Sequence, residues 1–150
     1  MKDTNGIEIK TGMIVEITGA YFKSDNGLYF VAHSPGDASW SGSDYSLRKI
    51  SKRGKVSTAK NRICFWPISV FVSDRSKAAE ANRWNKEFGT IEVVSIENMT
   101  EVAAYFRDEL TNISQRIERM IWDFGENSPA VQKFREIQSH YEAVALSINA

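Results

Sequence analysis

Apolar and polar residues alternate through the first half of the chain and recur three and four apart through its last third. That change of period divides the sequence. In GMIVEIT, Met13, Val15 and Ile17 fall on one face while Ile14, Glu16 and Thr18 fall on the other, the pattern of a strand with one face buried. GLYFVAH repeats it with Leu28, Phe30 and Ala32, after an SDNG turn in which Asn26 and Gly27 suit positive φ. SPGDASWSGSD reads as a loop of turn formers. YSLRKI, NRICFW and SVFVS supply three further short β-rich runs, with a basic loop from Lys52 to Lys60 and Pro67 between the last two. Short strands this close together predict a small barrel, because closure removes exposed edges.

The period changes at Asp74. DRSKAAEANRWNKEFG predicts a helix capped by Ser73 or Asp74 and ended by Gly89, and TIEVVS predicts one more strand. From about Asn98 the pattern is helical. Val102, Phe106, Ile113, Ile117, Met120, Ile121 and Phe124 form one apolar stripe; Val131, Phe134, Ile137, Tyr141, Val144 and Ile148 form a second. GENSPA between them is a break and restart, with Ser128 as cap and Pro129 at the first helical position. The two helices are expected to pair as an antiparallel hairpin. The fold class is therefore α+β: a barrel over residues 1–74, then a helical region over 75–150 packed on it as one unit.

Composition supports a folded chain: 42% of the 150 residues are apolar, enough for a real core without staples. The single cysteine, Cys64, makes no internal disulfide, and His33 and His140 stand too far apart for a zinc signature. The start MKDTNGIEIK lacks the apolar core of a signal peptide, and no run approaches the ~18 apolar residues that cross a bilayer. A soluble cytoplasmic protein without membrane contact is expected.

Charge changes the picture more. Lys plus Arg and Asp plus Glu each number 19, yet residues 1–44 carry six acids against three bases, and residues 74–150 carry thirteen against nine. Between them, Tyr45 to Ser73 holds seven bases and no acid: Arg48, Lys49, Lys52, Arg53, Lys55, Lys60 and Arg62. So local an excess points to an anionic partner.

TGMIVEITGAYFKSDNGLYFV resembles the KOW motif of SH3-like barrels in Gly12, the alternation of Met13, Val15 and Ile17, and then Gly19, Phe22, Lys23 and Gly27 before an apolar strand. It departs from the family where Ser24 and Asp25 replace the usual glycine after the basic residue. FWPISVFV is similar to the closing segment of such barrels, where a proline-containing turn leads into the last strand. The resemblance covers about twenty residues plus that closing segment, and implies an RNA, DNA, ribosomal or transcription-protein partner. It does not extend to the helical half.

Clustered Lys and Arg suit phosphate backbones. If Ile63 and Phe65 face the core, Arg62, Cys64 and Trp66 share the outer face, where a guanidinium and an indole together make a stacking platform for bases. Tyr21, Phe22 and Trp40 either join that platform or form a protein-binding groove; the plainer reading is that Phe22 and Trp40 plug the barrel ends. The charges of SKRGK have their own plain reading, solubility. Catalysis lacks a constellation: Cys64 has no histidine near it in sequence, Asp108 and Glu109 diverge on a helix, and SPGDASWSG lacks the lysine of a phosphate loop. The expectation is a non-enzymatic module with no catalytic residues, cofactor or metal, contacting nucleic acid or a nucleoprotein complex. The alternative is a protein-binding adaptor or inhibitor, such as an accessory protein of a phage or bacterial mobile element. The apolar stripes of the hairpin are covered either by the barrel or by a homodimer through the C-terminal helices.

Overall fold

The computed structural model describes residues 2–19, 23–34, 45–57 and 90–149, together with the backbone of Arg62–Phe65. Five strands, β1 (Ile14–Thr18), β2 (Gly27–His33), β3 (Tyr45–Ile50), β4 (Arg62–Phe65) and β5 (Thr90–Val94), precede two helices, α1 (Thr100–Phe124) and α2 (Pro129–Asn149). All strand pairs are antiparallel, in the order β4-β3-β2-β1-β5. The class is α+β. The strand expected over SVFVS and the helix expected over DRSKAAEANRWNKEFG lie outside the described residues.

The expected closure into a barrel is not what these strands make. Among the described residues, β4 and β5 are the two outer strands of the sheet, on opposite sides of it, and the sheet is not closed. The free side of β5 has other partners. The Asp3 carboxylate accepts the Val93 N–H at 2.8 Å, and Thr4 donates its backbone N–H to the Ile91 carbonyl at 2.8 Å while its hydroxyl accepts the Ile91 N–H at 3.2 Å. An outer strand whose groups are satisfied this way needs no further strand beside it.

Asp3 also accepts N–H groups from Asn5 at 2.9 Å and Ile7 at 2.8 Å. The Val93 bond first, and then these, hold its carboxyl below the usual carboxylate range, against the opposing effect of burial. A lowered folded pKa stabilises the fold above the ordinary value of 3.8, and that contribution disappears as pH falls through the folded pKa. Asp3→Asn should therefore lower the melting temperature at about pH 7, with the gap to the parent closing by about pH 2. A gap that stays constant across thermal melts in that range would contradict this linkage.

Both faces of the sheet are apolar, which corrects the reading of β1 as half-buried. Val15, Ile17, Tyr29, Val31, Tyr45, Leu47 and Ile91 form one cluster with Ile9 from the N-terminal segment. Ile14, Leu28, Phe30, Ala32 and Ile50, from alternate positions, form the other with the helices. Ile14 is as fully covered as its neighbours because α1 and α2 lie over the face that simple alternation would give to solvent.

The helices pair as their stripes predict. Gly125, at φ +86°, ends α1, and Ser128 Oγ accepts the Ala130 N–H at 3.3 Å where Pro129 begins α2. Val102, Phe106, Ile113 and Ile117 meet Val131, Ile137, Tyr141 and Val144 in the same cluster as the sheet residues. Gln138 Nε2 donates to Ser114 Oγ at 3.0 Å across the pair. Phe124 departs from the stripe: as the last residue of α1 it is 66% exposed, and Trp122 is 90% exposed. Among the described residues, no helix is long and apolar enough to cross a membrane.

Candidate functional site

The basic stretch begins on β3 and continues into the turn that follows. Ser51 builds that turn. Its N–H donates to the Lys55 carbonyl at 2.9 Å, its carbonyl accepts the Gly54 N–H at 2.9 Å, and its hydroxyl accepts the N–H groups of Arg53 at 3.2 Å and Lys55 at 3.1 Å. Local side-chain to backbone bonds of this kind fix a turn without help from the core. Lys52, Arg53 and Lys55 are all exposed on it.

Gly54 between them is buried and holds φ +82°. Its Cα lies against the Asn98 carbonyl, so the turn is seated on the entrance to α1. Next to it, Val56 donates its N–H to Glu101 Oε2 at 3.1 Å, and Asn98 Oδ1 accepts the Thr100 N–H at 3.1 Å. The cationic turn is therefore a fixed feature with two anchors, one internal to it and one on the helix.

Alternation along β3 sends its two bases to opposite faces. Arg48 takes the helix side, where its guanidinium carbon lies 5.0 Å from the centre of the Tyr105 ring. Lys49 takes the other side, donating from Nζ to the Ser24 carbonyl at 3.0 Å and standing 5.8 Å from the Tyr29 ring. Burial, with the charge of Asp25 adding to it, pushes the Tyr29 phenol up to about 12, and its hydroxyl donates to the Asp25 carbonyl at 2.8 Å. Lys49 is thus engaged away from the turn, and Arg48 and Lys49 do not share a surface.

Arg62 stands on β4 directly opposite Arg48 in register. Lys60, Trp66, Tyr21, Phe22 and Trp40 lie outside the described residues. Cys64 is opposite Ser46, which is itself opposite His33 on β2. Two strand spacings of about 4.8 Å thus separate the Cα atoms of Cys64 and His33. Among the described residues, no group of three or more His, Cys, Asp and Glu side chains is placed to hold a metal.

Two features had no signal in the sequence. Tyr105 reads as one more position of an amphipathic helix, yet it carries Arg48. A groove of about 420 Å³ between the N-terminal segment and α2 is lined by Glu8, Lys10, Thr11, Ser34, His140 and Ser147, from segments far apart in the chain. Only folding brings them together. Compared with protein-family models, curated proteins and solved structures, the chain matches none.

Proposed function

We propose that this chain is a non-enzymatic binding module whose strand region is of the SH3-like, KOW-containing kind, and that it contacts nucleic acid or a nucleoprotein complex through a basic surface centred on the Ser51–Lys55 turn that follows β3. One observation carries the reading. Lys52, Arg53 and Lys55 are exposed together on a turn held by Ser51 and seated on α1, within a stretch from Tyr45 to Ser73 that holds no acid. A fixed cluster of cations meets a phosphate backbone at a smaller entropic cost than mobile side chains on a loose loop. The SH3-like part of the reading rests on the run of short antiparallel strands, in which β1 pairs with its neighbour β2 and with the distant β5.

Binding is expected at low salt and should fade quickly as salt rises. With three to five phosphates neutralised, log K against log salt should fall with a slope of roughly −2 to −4. Reversing Lys52, Arg53 and Lys55 to Glu should flatten that slope and weaken binding to single-stranded and double-stranded probes alike, while the circular dichroism melt stays where it was. Fluorescence anisotropy measures both quantities. A folded protein that binds no DNA or RNA at ~50 mM salt up to high micromolar concentration defeats the reading.

The second reading, a protein-binding adaptor or inhibitor, is favoured by a different observation. Trp122 and Phe124, 90% and 66% exposed, both lie in the last residues of α1, on different sides of it. Exposed aromatics are the side chains that anchor protein interfaces. That reading predicts binding sensitive to Trp122→Ala and indifferent to the three charge reversals.

A further inference from the structure

Arg48 is placed where a strand ordinarily puts an apolar side chain. It shares its side of β3 with Ile50, and its register partner on β2 is Phe30, which is fully buried. The rings of Phe30 and Tyr105 meet edge to face with centres 5.1 Å apart, and the Arg48 guanidinium lies over Tyr105. A guanidinium held against an aromatic face loses rotational freedom while keeping its charge.

One buried donor of this side chain, Nε, has no partner among the described residues. A guanidinium carries five N–H donors in a fixed fork and no acceptor, so an unmet Nε calls for an oxygen from elsewhere. The neighbouring rows supply no carboxylate: Phe30 stands on one side, Arg62 on the other, and Ser46 and Ile50 precede and follow on the same side of β3.

We propose that Arg48, preset by Tyr105, is a phosphate anchor. Resting on the nucleic-acid reading above, it fixes the register of a phosphate backbone that runs on to the Ser51–Lys55 turn. Arg48 and Lys52 are separated by about 10 to 13 Å at ~3.3 Å per strand residue, or roughly three to four nucleotides of a B-form strand at ~3.4 Å each. Arg48 positions the backbone, and the turn adds salt-sensitive affinity.

The test uses the full chain with ¹⁵N-labelled arginine. The Arg48 Nε–H signal is identified by its loss in Arg48→Lys and followed during titration with inorganic phosphate and, separately, with a thymidine oligonucleotide of about ten nucleotides. The expected result is a saturating shift of that signal with both probes. Arg48→Lys, which keeps the charge but not the fork, should weaken oligonucleotide binding by about tenfold, while Lys133→Gln, an exposed position on α2, changes it by less than about twofold. An oligonucleotide that binds without moving the Arg48 signal overturns the anchor and leaves the basic turn as the binding surface. A signal moved by phosphate in a protein that binds no oligonucleotide overturns the nucleic-acid reading and keeps the anchor, then for a small phosphorylated ligand. A signal unmoved by either probe, in a protein that binds no oligonucleotide, overturns both.

Discussion

Phe106→Ala is expected to cost about 3 to 5 kcal/mol, a large share of the roughly 5 to 15 kcal/mol that holds a domain of this size together. Phe106 is fully buried where three elements meet. Its ring centre lies 6.1 Å from that of Phe30 on β2, 5.3 Å from that of Tyr105 on α1 and 5.9 Å from that of Tyr141 on α2. The contacts with Phe30 and Tyr105 are edge to face, at interplanar angles of 69° and 89°, an arrangement that adds to simple area burial. Truncation would leave a cavity that neither the sheet nor the rigid helix pair can close. Denaturant melts should show one cooperative transition shifted strongly to lower denaturant. A loss below about 1 kcal/mol would mean that the helices and the sheet do not share a core.

Gly54→Ala should be nearly as costly, at about 3 to 5 kcal/mol, although it adds a single methyl group to a surface turn. Two effects add. At φ +82° a side chain is strained, and the added carbon runs into the Asn98 carbonyl, which is backbone and cannot swing aside. Relief requires the turn to lift from the entrance of α1, which would pull Val56 away from Glu101. The same variant should therefore weaken nucleic-acid binding more than the loss of any one charge on the turn, because Lys52, Arg53 and Lys55 lose their common frame. Equilibrium melts and salt-dependent anisotropy on the same sample separate the two consequences. A variant that melts like the parent would show that the turn is not seated on the helix.

How much of this was legible beforehand depends on how local the encoding is. The helical hairpin was readable from spacing, because a 3.6-residue period writes the buried stripe directly into the sequence and the Gly125, Ser128 and Pro129 signals mark its turn. The strands around Ile14, Leu28, Tyr45, Ile63 and Ile91 were readable for the same reason with a period of two. The helical period extends the buried stripe to Phe124, which is exposed, because periodicity does not say where the partner helix ends. The candidate site was legible as charge: seven bases without an acid is a count, and it needed no structure.

What each of those charges faces was not in the count. Alternation distinguishes the two sides of β3 but does not say which side the helices cover, so Arg48 and Lys49 looked equivalent until one was found against Tyr105 and the other against Ser24 and Tyr29. Alternation likewise made Ile14 look exposed. The pairing of β5 with β1, the Asp3 and Thr4 bonds that occupy its outer side, and the seat of Gly54 beneath Asn98 join residues dozens of positions apart. Propensity and period describe a residue's relation to its near neighbours in the chain, and these contacts are chosen by the burial of whole faces at once. The chain thus carries its elements and its basic stretch in local pattern. The open sheet, its two covered faces and the setting of Arg48 follow from packing, where the gain from removing apolar surface from water outweighs any single local preference.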